Sequence, residues 1–84
     1  MSDRPKILCI EDDSATIELL VEVLEDEGFE TIVATDGIDG VRKFAERPDV
    51  ILCDVDMPHM SGFGVLNELR KSAGRLRNVP FLFI

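Results

Sequence analysis

The sequence predicts an α/β fold, built as a doubly wound parallel sheet. Short apolar runs typical of buried strands alternate with segments whose apolar residues recur at helical spacing, in the order β-α-β-α-β-α-β. Strands that alternate with helices favour right-handed crossovers between parallel strands. The 84 residues, 45% hydrophobic and 31% charged, are enough for one globular domain.

The first part of the chain contains two predicted strands with a helix between them. Residues 6–10 read KILCI, an apolar run too short for a helix, so we interpret it as a buried strand. Apolar residues at positions 17, 20, 21 and 24 share one face of a predicted helix. Asp13 or Ser14 can cap the start of this helix, and Gly28 can end it. Residues 29–35, FETIVAT, carry the β-branched residues of a second strand.

A second helix and a third strand follow. Asp36, with Asp39 three residues later, has the spacing of a helix cap, and Pro48 ends the predicted helix, which runs through positions 41, 44 and 45. Residues 49–54 read DVILCD, and from Val50 to Cys53 they are apolar at both alternating positions. That pattern predicts a central strand covered on both faces.

The last part of the chain predicts one more helix and one more strand. The loop VDMPHMSG leads into a helix that we expect to bury Phe63, Leu66 and Leu69. Residues 73–78 form a polar connection, and residues 79–84, VPFLFI, begin a fourth strand.

The charge and hydropathy of the chain exclude several classes of function. The net charge of −8, from 17 acidic and 9 basic residues, disfavours direct binding of nucleic acid by this segment. No apolar stretch approaches the roughly 20 residues of a membrane span. The polar start MSDRPK lacks the apolar region of a signal peptide. We therefore expect a soluble, cytoplasmic protein without a membrane partner.

The two cysteines are interpreted as reduced core residues. Cys9 and Cys53 each lie inside an apolar run, and neither belongs to a CxxC pair. With a single histidine in the chain, a zinc site is unsupported. Adjacent strands would allow a disulfide between them without requiring one.

Acidic residues follow two of the predicted strands at the point where each strand ends. Glu11 and Asp12 come after the first strand, and Asp54 and Asp56 after the third. Since parallel strands end at the same edge of a sheet, these four residues are expected to meet where open α/β sheets bind ligands. Two carboxylates about 4 Å apart repel by roughly 4 kcal/mol at an effective dielectric constant near 20. A hard divalent cation such as Mg²⁺ would relieve that repulsion.

The segments KILCIEDD and DVILCDVDMPHMSG, in this order of strands and helices, resemble the receiver domain of bacterial two-component response regulators. The resemblance covers all 84 residues. It implies the flavodoxin-like receiver fold with sheet order 2-1-3-4-5, and a signalling module rather than an enzyme. It also implies a partner, a sensor histidine kinase or phosphotransfer protein, that donates its phosphoryl group to the aspartate after the third strand.

The resemblance assigns a role to each acid of the predicted site. Asp54 would be the phosphoacceptor and one Mg²⁺ ligand, and Asp12 the second carboxylate on the metal. Glu11 would hold a metal-bound water, and Asp56 would contribute its backbone carbonyl. An aspartyl phosphate is covalent but labile, which suits a reversible signal.

Two features of the family lie beyond this sequence. The family has a Thr or Ser at the end of its fourth strand and a Lys at the end of its fifth, and the sequence stops at Ile84. We interpret residues 1–84 as a partial receiver domain with its natural start at Met1 and its last helix-strand-helix portion missing. We expect such a fragment to hold Mg²⁺ weakly and to associate through its unfinished sheet edge.

Two other functions remain as alternatives. A haloacid-dehalogenase-type phosphatase also uses the first Asp of an Asp-x-Asp as its nucleophile, but on the first strand, whereas DVDMP follows the third. A receiver-like interaction module that is never phosphorylated is the second alternative. A calcium-binding loop and a dinucleotide-binding domain are excluded, because position 12 counted from Asp54 is Val65 and no GxGxxG follows the first strand. His59 is expected to be an exposed loop residue.

Overall fold

Four strands form one parallel sheet in the computed structural model, which describes residues 3–84. The strands are β1 (Lys6–Ile10), β2 (Glu30–Ala34), β3 (Val50–Cys53) and β4 (Phe81–Phe83). Their order across the sheet is β2-β1-β3-β4, which confirms the first four positions of the expected order 2-1-3-4-5 and makes β1 and β3 neighbours. Met1, which we interpret as the natural start, lies outside the described residues.

Three α-helices and two short 3-10 helices connect the strands. They are α1 (Ser14–Asp26), α2 (Gly37–Arg42), the 3-10 helix Lys43–Glu46 that continues α2, α3 (Gly62–Lys71) and the 3-10 helix Gly74–Asn78. The last of these lies in the segment that the sequence predicts as a polar connection. There, Arg70 donates a hydrogen bond to the Arg77 carbonyl at 2.8 Å, which joins the end of α3 to the connection.

Side chains cap each α-helix at its start. Asp13 accepts a hydrogen bond from the Thr16 amide at 2.9 Å, so Asp13 rather than Ser14 is the cap of α1. Asp36 accepts from the Asp39 amide at 2.7 Å, as its spacing predicts. Gly28 has a φ of 91°, a left-handed conformation that glycine adopts without steric cost, and it ends α1 as expected.

The helices lie on opposite faces of the sheet. β2 lies on one side of β1 and β3 on the other, so right-handed crossovers place α1 on one face and both α2 and α3 on the other. The face under α2 and α3 holds the main hydrophobic core, whose fully buried members are Leu8, Ile10, Ala34, Ile51, Cys53, Val65 and Leu69. The apolar side chains of α1 at positions 17, 20, 21 and 24 are only half-buried.

The strand β3 is central but less completely covered than the sequence predicts. Ile51 and Cys53 face the main core and are fully buried, whereas Val50 and Leu52 on the α1 face are half-buried. Leu82, the neighbour of Leu52 on β4, is 54% exposed. The difference follows from coverage, since α1 packs mainly against β2 and leaves the β3–β4 side of its face open among the described residues.

The predicted burial of Phe63 in α3 is wrong. Phe63 is 61% exposed, Leu66 is half-buried, and the core-facing residues are Gly62, Val65 and Leu69. These three have the i, i+3, i+7 spacing of one helix face, and Phe63 lies next to that face rather than on it. Its ring packs instead against Phe83, with ring centroids 4.9 Å apart.

Asp49 joins three parts of the chain at the edge of the sheet opposite the acidic residues. Its carboxylate accepts a hydrogen bond from the Lys6 amide at 2.7 Å and pairs with Arg75 of the second 3-10 helix. Its amide donates to the Lys6 carbonyl at 2.8 Å. Asp49 therefore fixes the starts of β1 and β3 relative to the segment before β4.

We expect Asp49→Ala to lower the free energy of unfolding by about 1–3 kcal/mol, because the partly buried Lys6 amide loses its acceptor. Arg75→Ala removes only the exposed ion pair and should cost about 0–1 kcal/mol. Urea denaturation followed by circular dichroism measures both. Equal losses of stability in the two variants would show that the ion pair with Arg75, and not the hydrogen bond from the Lys6 amide, accounts for the contribution of Asp49.

The two cysteines occupy adjacent strands but opposite faces. Cys9 is paired in register with Leu52, and Cys53 with Ile10. Because side chains alternate along a strand, Cys9 and Cys53 point away from each other, and both are free. Burial raises the pKa of Cys9 to about 11 and that of Cys53 to about 12, the latter also through the charges of Asp54 and Glu11.

Both thiols are expected to resist alkylation in the folded protein. At pH 8, a pKa of about 11 leaves roughly one thiolate in a thousand, and both side chains are inaccessible. Iodoacetamide labelling followed by intact mass should show slow modification at pH 8 that speeds up as the pH rises, and rapid modification of two residues in urea. Complete labelling in native buffer would contradict the buried placement.

Candidate metal and phosphoacceptor site

Three of the predicted site residues meet at the carboxyl ends of β1 and β3. One carboxylate oxygen from each of Glu11, Asp12 and Asp54 lies within 4.8 Å of the others. The Asp54 amide donates to the Ile10 carbonyl at 3.0 Å, and the Glu11 amide donates to the Ala34 carbonyl at 3.0 Å. These bonds continue the sheet by one residue, so the acids after β1 and β3 are held at a fixed separation.

Glu11 is the buried member of the group. Its side chain is 8% exposed, and one of its oxygens accepts hydrogen bonds from the amides of Asp12 at 2.8 Å and Asp13 at 3.3 Å. Burial raises the pKa of Glu11, assisted by its contact with the Asp12 carboxyl and by the charge of Asp54. Glu11 is thus folded back onto the chain that leads into α1.

Asp54 is half-buried and Asp12 is exposed, so the group opens to solvent. Three carboxylates at this separation repel one another in the ionised state. Their oxygens are the donors that hard divalent cations prefer, and Mg²⁺ binds through few carboxylates while keeping several waters. The residues present therefore fit a Mg²⁺ ion, with Asp12 and Asp54 accessible to it.

The loop between β3 and α3 separates Asp56 from this group. The Asp56 side chain is exposed and does not join the three carboxylates. Met57 and Met60 are partly buried and pack against the main core. His59 is exposed and has a φ of 71°, and the Met60 amide donates to the Pro58 carbonyl at 2.8 Å across it.

Gly62 also belongs to the surroundings of the site, although the sequence pattern alone predicts no role for it. It is buried at the start of α3, and its amide donates to the Val55 carbonyl at 2.8 Å. A glycine inside the first turn of a helix, where it weakens the helix, is the signal in the sequence that marks close approach to another backbone.

A flavodoxin-like domain with an acidic group beside the end of its central strand is the class that the fold and the site define. The chain belongs to the response regulator receiver domain family, whose family model matches residues 7–84. The resemblance stated from the sequence is therefore confirmed.

The curated relatives that the chain matches are longer proteins. It is 40% identical over 72 residues to the DNA-binding response regulator MtrA of Mycobacterium tuberculosis, which covers 84% of this chain and 32% of the relative. A protein-glutamate methylesterase/protein-glutamine glutaminase of Symbiobacterium thermophilum is 37% identical over 76 residues, with 82% of this chain and 21% of the relative covered. The chain thus spans about a third or less of these relatives.

Solved receiver structures share the fold closely. Chemotaxis response regulator CheY4 of Vibrio cholerae superposes with a TM-score of 0.90 and 31% identity, covering 95% of this chain and 67% of that one. The receiver domain of sensor histidine kinase PA1611 from Pseudomonas aeruginosa has a TM-score of 0.89 and 28% identity, covering 95% and 66%. That structure has a magnesium ion coordinated in its active-site cleft.

Membership of this family fits two-component phosphorelay signalling and does not favour a dehalogenase-type phosphatase. Receiver domains serve mostly as signalling modules, although the methylesterase shows that related segments also occur in enzymes. Within residues 3–84, no helix combines the length and the apolarity needed to cross a membrane.

Proposed function

We propose that this chain accepts a phosphoryl group on Asp54 from a sensor histidine kinase or a phosphotransfer protein. The observation that carries the proposal is the meeting of Glu11, Asp12 and Asp54 within 4.8 Å at the ends of two adjacent strands. Asp54 is the member of this group that ends the central strand, and it is half-buried, so it is both held in place and open to a donor.

Asp12 and Asp54 would hold Mg²⁺ through their carboxylates, with Glu11 beside them and the Asp56 backbone carbonyl as a further ligand. When bound, the ion supplies positive charge that neutralises the phosphate oxygens. Glu11 is suited to a supporting role beside the metal ligands. Its buried carboxylate already accepts hydrogen bonds from two backbone amides, and these bonds fix its orientation.

The transfer needs one ionised oxygen of Asp54 in line with the phosphorus–nitrogen bond of the donor phosphohistidine. That oxygen attacks phosphorus, the phosphorus–nitrogen bond breaks, and its electron pair returns to the imidazole nitrogen. The product is an aspartyl phosphate on Asp54 and a free histidine on the donor. Asp54 is then consumed once for each phosphoryl group, so the chain acts as an acceptor in signalling and not as a turnover enzyme.

The test is labelling of the full-length protein by a small phosphodonor in the presence of Mg²⁺. We expect one hydroxylamine-sensitive phosphoryl group in the parent and none in Asp54→Asn. Asp26→Asn, the same change at an exposed position at the end of α1, should label like the parent. Equal labelling of the parent and Asp54→Asn would refute the proposal, and steady hydrolysis of p-nitrophenyl phosphate would favour a phosphatase.

We further propose that residues 1–84 are part of a receiver domain whose remaining Thr or Ser and Lys follow in the natural chain. The support is the coverage of solved receivers, which is 67% for CheY4 of Vibrio cholerae. The genomic sequence after Ile84 tests this directly. The net charge of −8 supports the additional proposal that this segment does not itself bind nucleic acid.

A further inference from the structure

Helix α3 begins in direct contact with the backbone of Asp54. A Cβ atom placed on Gly62 would lie 2.3 Å from the Asp54 carbonyl oxygen and 3.1 Å from the Val55 Cα. Atoms at the first of these distances overlap, and this nearest obstacle is backbone; the ring of Phe83 would also lie close, with its Cε1 at 2.9 Å. Helix α3 therefore reaches its position only because residue 62 has no side chain.

The backbone of Asp54 is held from three directions. Its amide donates to the Ile10 carbonyl on β1 at 3.0 Å. Its carbonyl accepts a hydrogen bond from the Cys53 thiol at 3.2 Å and lies against Gly62, 2.3 Å from where a Cβ atom of that residue would stand. The Gly62 amide, bonded to the Val55 carbonyl at 2.8 Å, ties the following peptide to α3.

We propose that Gly62 is a positioning residue for phosphoryl transfer to Asp54. By allowing α3 to begin against the Asp54–Val55 peptide, it sets where the Asp54 carboxylate stands relative to Glu11 and Asp12. Gly62 acts through the backbone of Asp54 and touches neither the phosphoryl group nor a metal ion. The inference rests on the proposed function of Asp54, because in-line transfer is what makes a small displacement costly.

Gly64 provides a matched comparison two residues further along the same helix. A Cβ placed there would lie 2.8 Å from the Met60 Cγ, which is part of a flexible side chain and can move. Gly64→Ala therefore makes the same chemical change in α3 without moving the backbone of Asp54. Val79→Ala provides a second comparison, a cavity in the core at the far end of the sheet.

The experiment compares the phosphorylation rates of the full-length parent, Gly62→Ala, Gly64→Ala and Val79→Ala with a small phosphodonor. Mg²⁺ is saturating, and each rate is divided by the folded fraction measured by circular dichroism. We expect Gly62→Ala to be about 10- to 100-fold slower per folded molecule. Gly64→Ala and Val79→Ala should match the parent, because loss of stability alone changes the folded fraction and not the rate of the folded protein. Equal rates in Gly62→Ala and Gly64→Ala would overturn the inference.

Two further measurements distinguish unfolding of Gly62→Ala, failure of the positioning role and failure of the proposed function. If Gly62→Ala is unfolded in buffer, the rates of all four proteins are measured in trimethylamine oxide, which favours the compact state. Asp54→Asn is included throughout. Labelling of Asp54→Asn at the parent's rate refutes the proposed function itself. Loss of labelling in Asp54→Asn, with normal labelling in Gly62→Ala, refutes only the positioning role.

Discussion

Leu8→Ala should lower the free energy of unfolding by about 2–5 kcal/mol, a loss large enough to unfold much of a domain of this size. Leu8 is fully buried in the middle of β1, between β2 and β3, with its side chain in the main core. Truncation to alanine removes apolar surface from the core and leaves a cavity, because strands on both sides hold the backbone in place.

Leu19→Ala is the matched control for this change. Leu19 lies on α1 and is 62% exposed, and alanine is a better helix former than leucine. The same substitution should therefore change the free energy of unfolding by less than about 0.5 kcal/mol. Urea titrations of the two variants, with a common slope, measure the difference. A similar loss in both variants would contradict the exposed placement of Leu19.

Asp12→Asn should have opposite effects on the protein with and without Mg²⁺. Without the ion, the amide removes one of three mutually repelling charges and can donate a hydrogen bond to the Glu11 carboxylate, so the melting temperature should rise. With the ion, the variant lacks a proposed charged ligand, and we expect its Mg²⁺ affinity to fall by about tenfold or more.

Thermal melts in EDTA and in increasing Mg²⁺ measure both effects on the same samples. Ligand binding to the folded state raises the melting temperature of the parent as Mg²⁺ increases, and this rise should be much smaller in Asp12→Asn. Asp26→Asn removes a charge far from the site and should keep the Mg²⁺ response of the parent. A full Mg²⁺ response in Asp12→Asn would show that Asp12 is not a ligand.

Features fixed by neighbouring residues could be predicted from the sequence. The apolar runs of the strands, the caps at Asp13 and Asp36, and Gly28 at the end of α1 all depend on local backbone preferences. The meeting of Glu11, Asp12 and Asp54 follows from parallel topology together with the adjacency of β1 and β3, which the family resemblance supplied.

Features fixed by packing could not be predicted in the same way. The apolar pattern of α3 is consistent with burial of either of two neighbouring helix faces. Only contact with the sheet determines that the face with Val65 and Leu69 is buried and the face with Phe63 is not. The role of Asp49 depends on a bond to Lys6, 43 residues away. The close approach of Gly62 to the Asp54 carbonyl depends on how the whole of helix α3 packs against the sheet.

The unequal covering of the two sheet faces has a consequence for motion. Helix α1 has no fully buried side chain, whereas β3 and α3 share the main core. Segments with few buried contacts open locally at lower free energy than the rest of a fold, so the amides of α1 should exchange with solvent well before those of β3. Glu11 and Asp12 lie at the entrance to this looser helix, and Asp54 ends the tighter strand. Local opening of α1 would therefore reach the chain just after Glu11 and Asp12 before it reaches Asp54, the proposed phosphoacceptor.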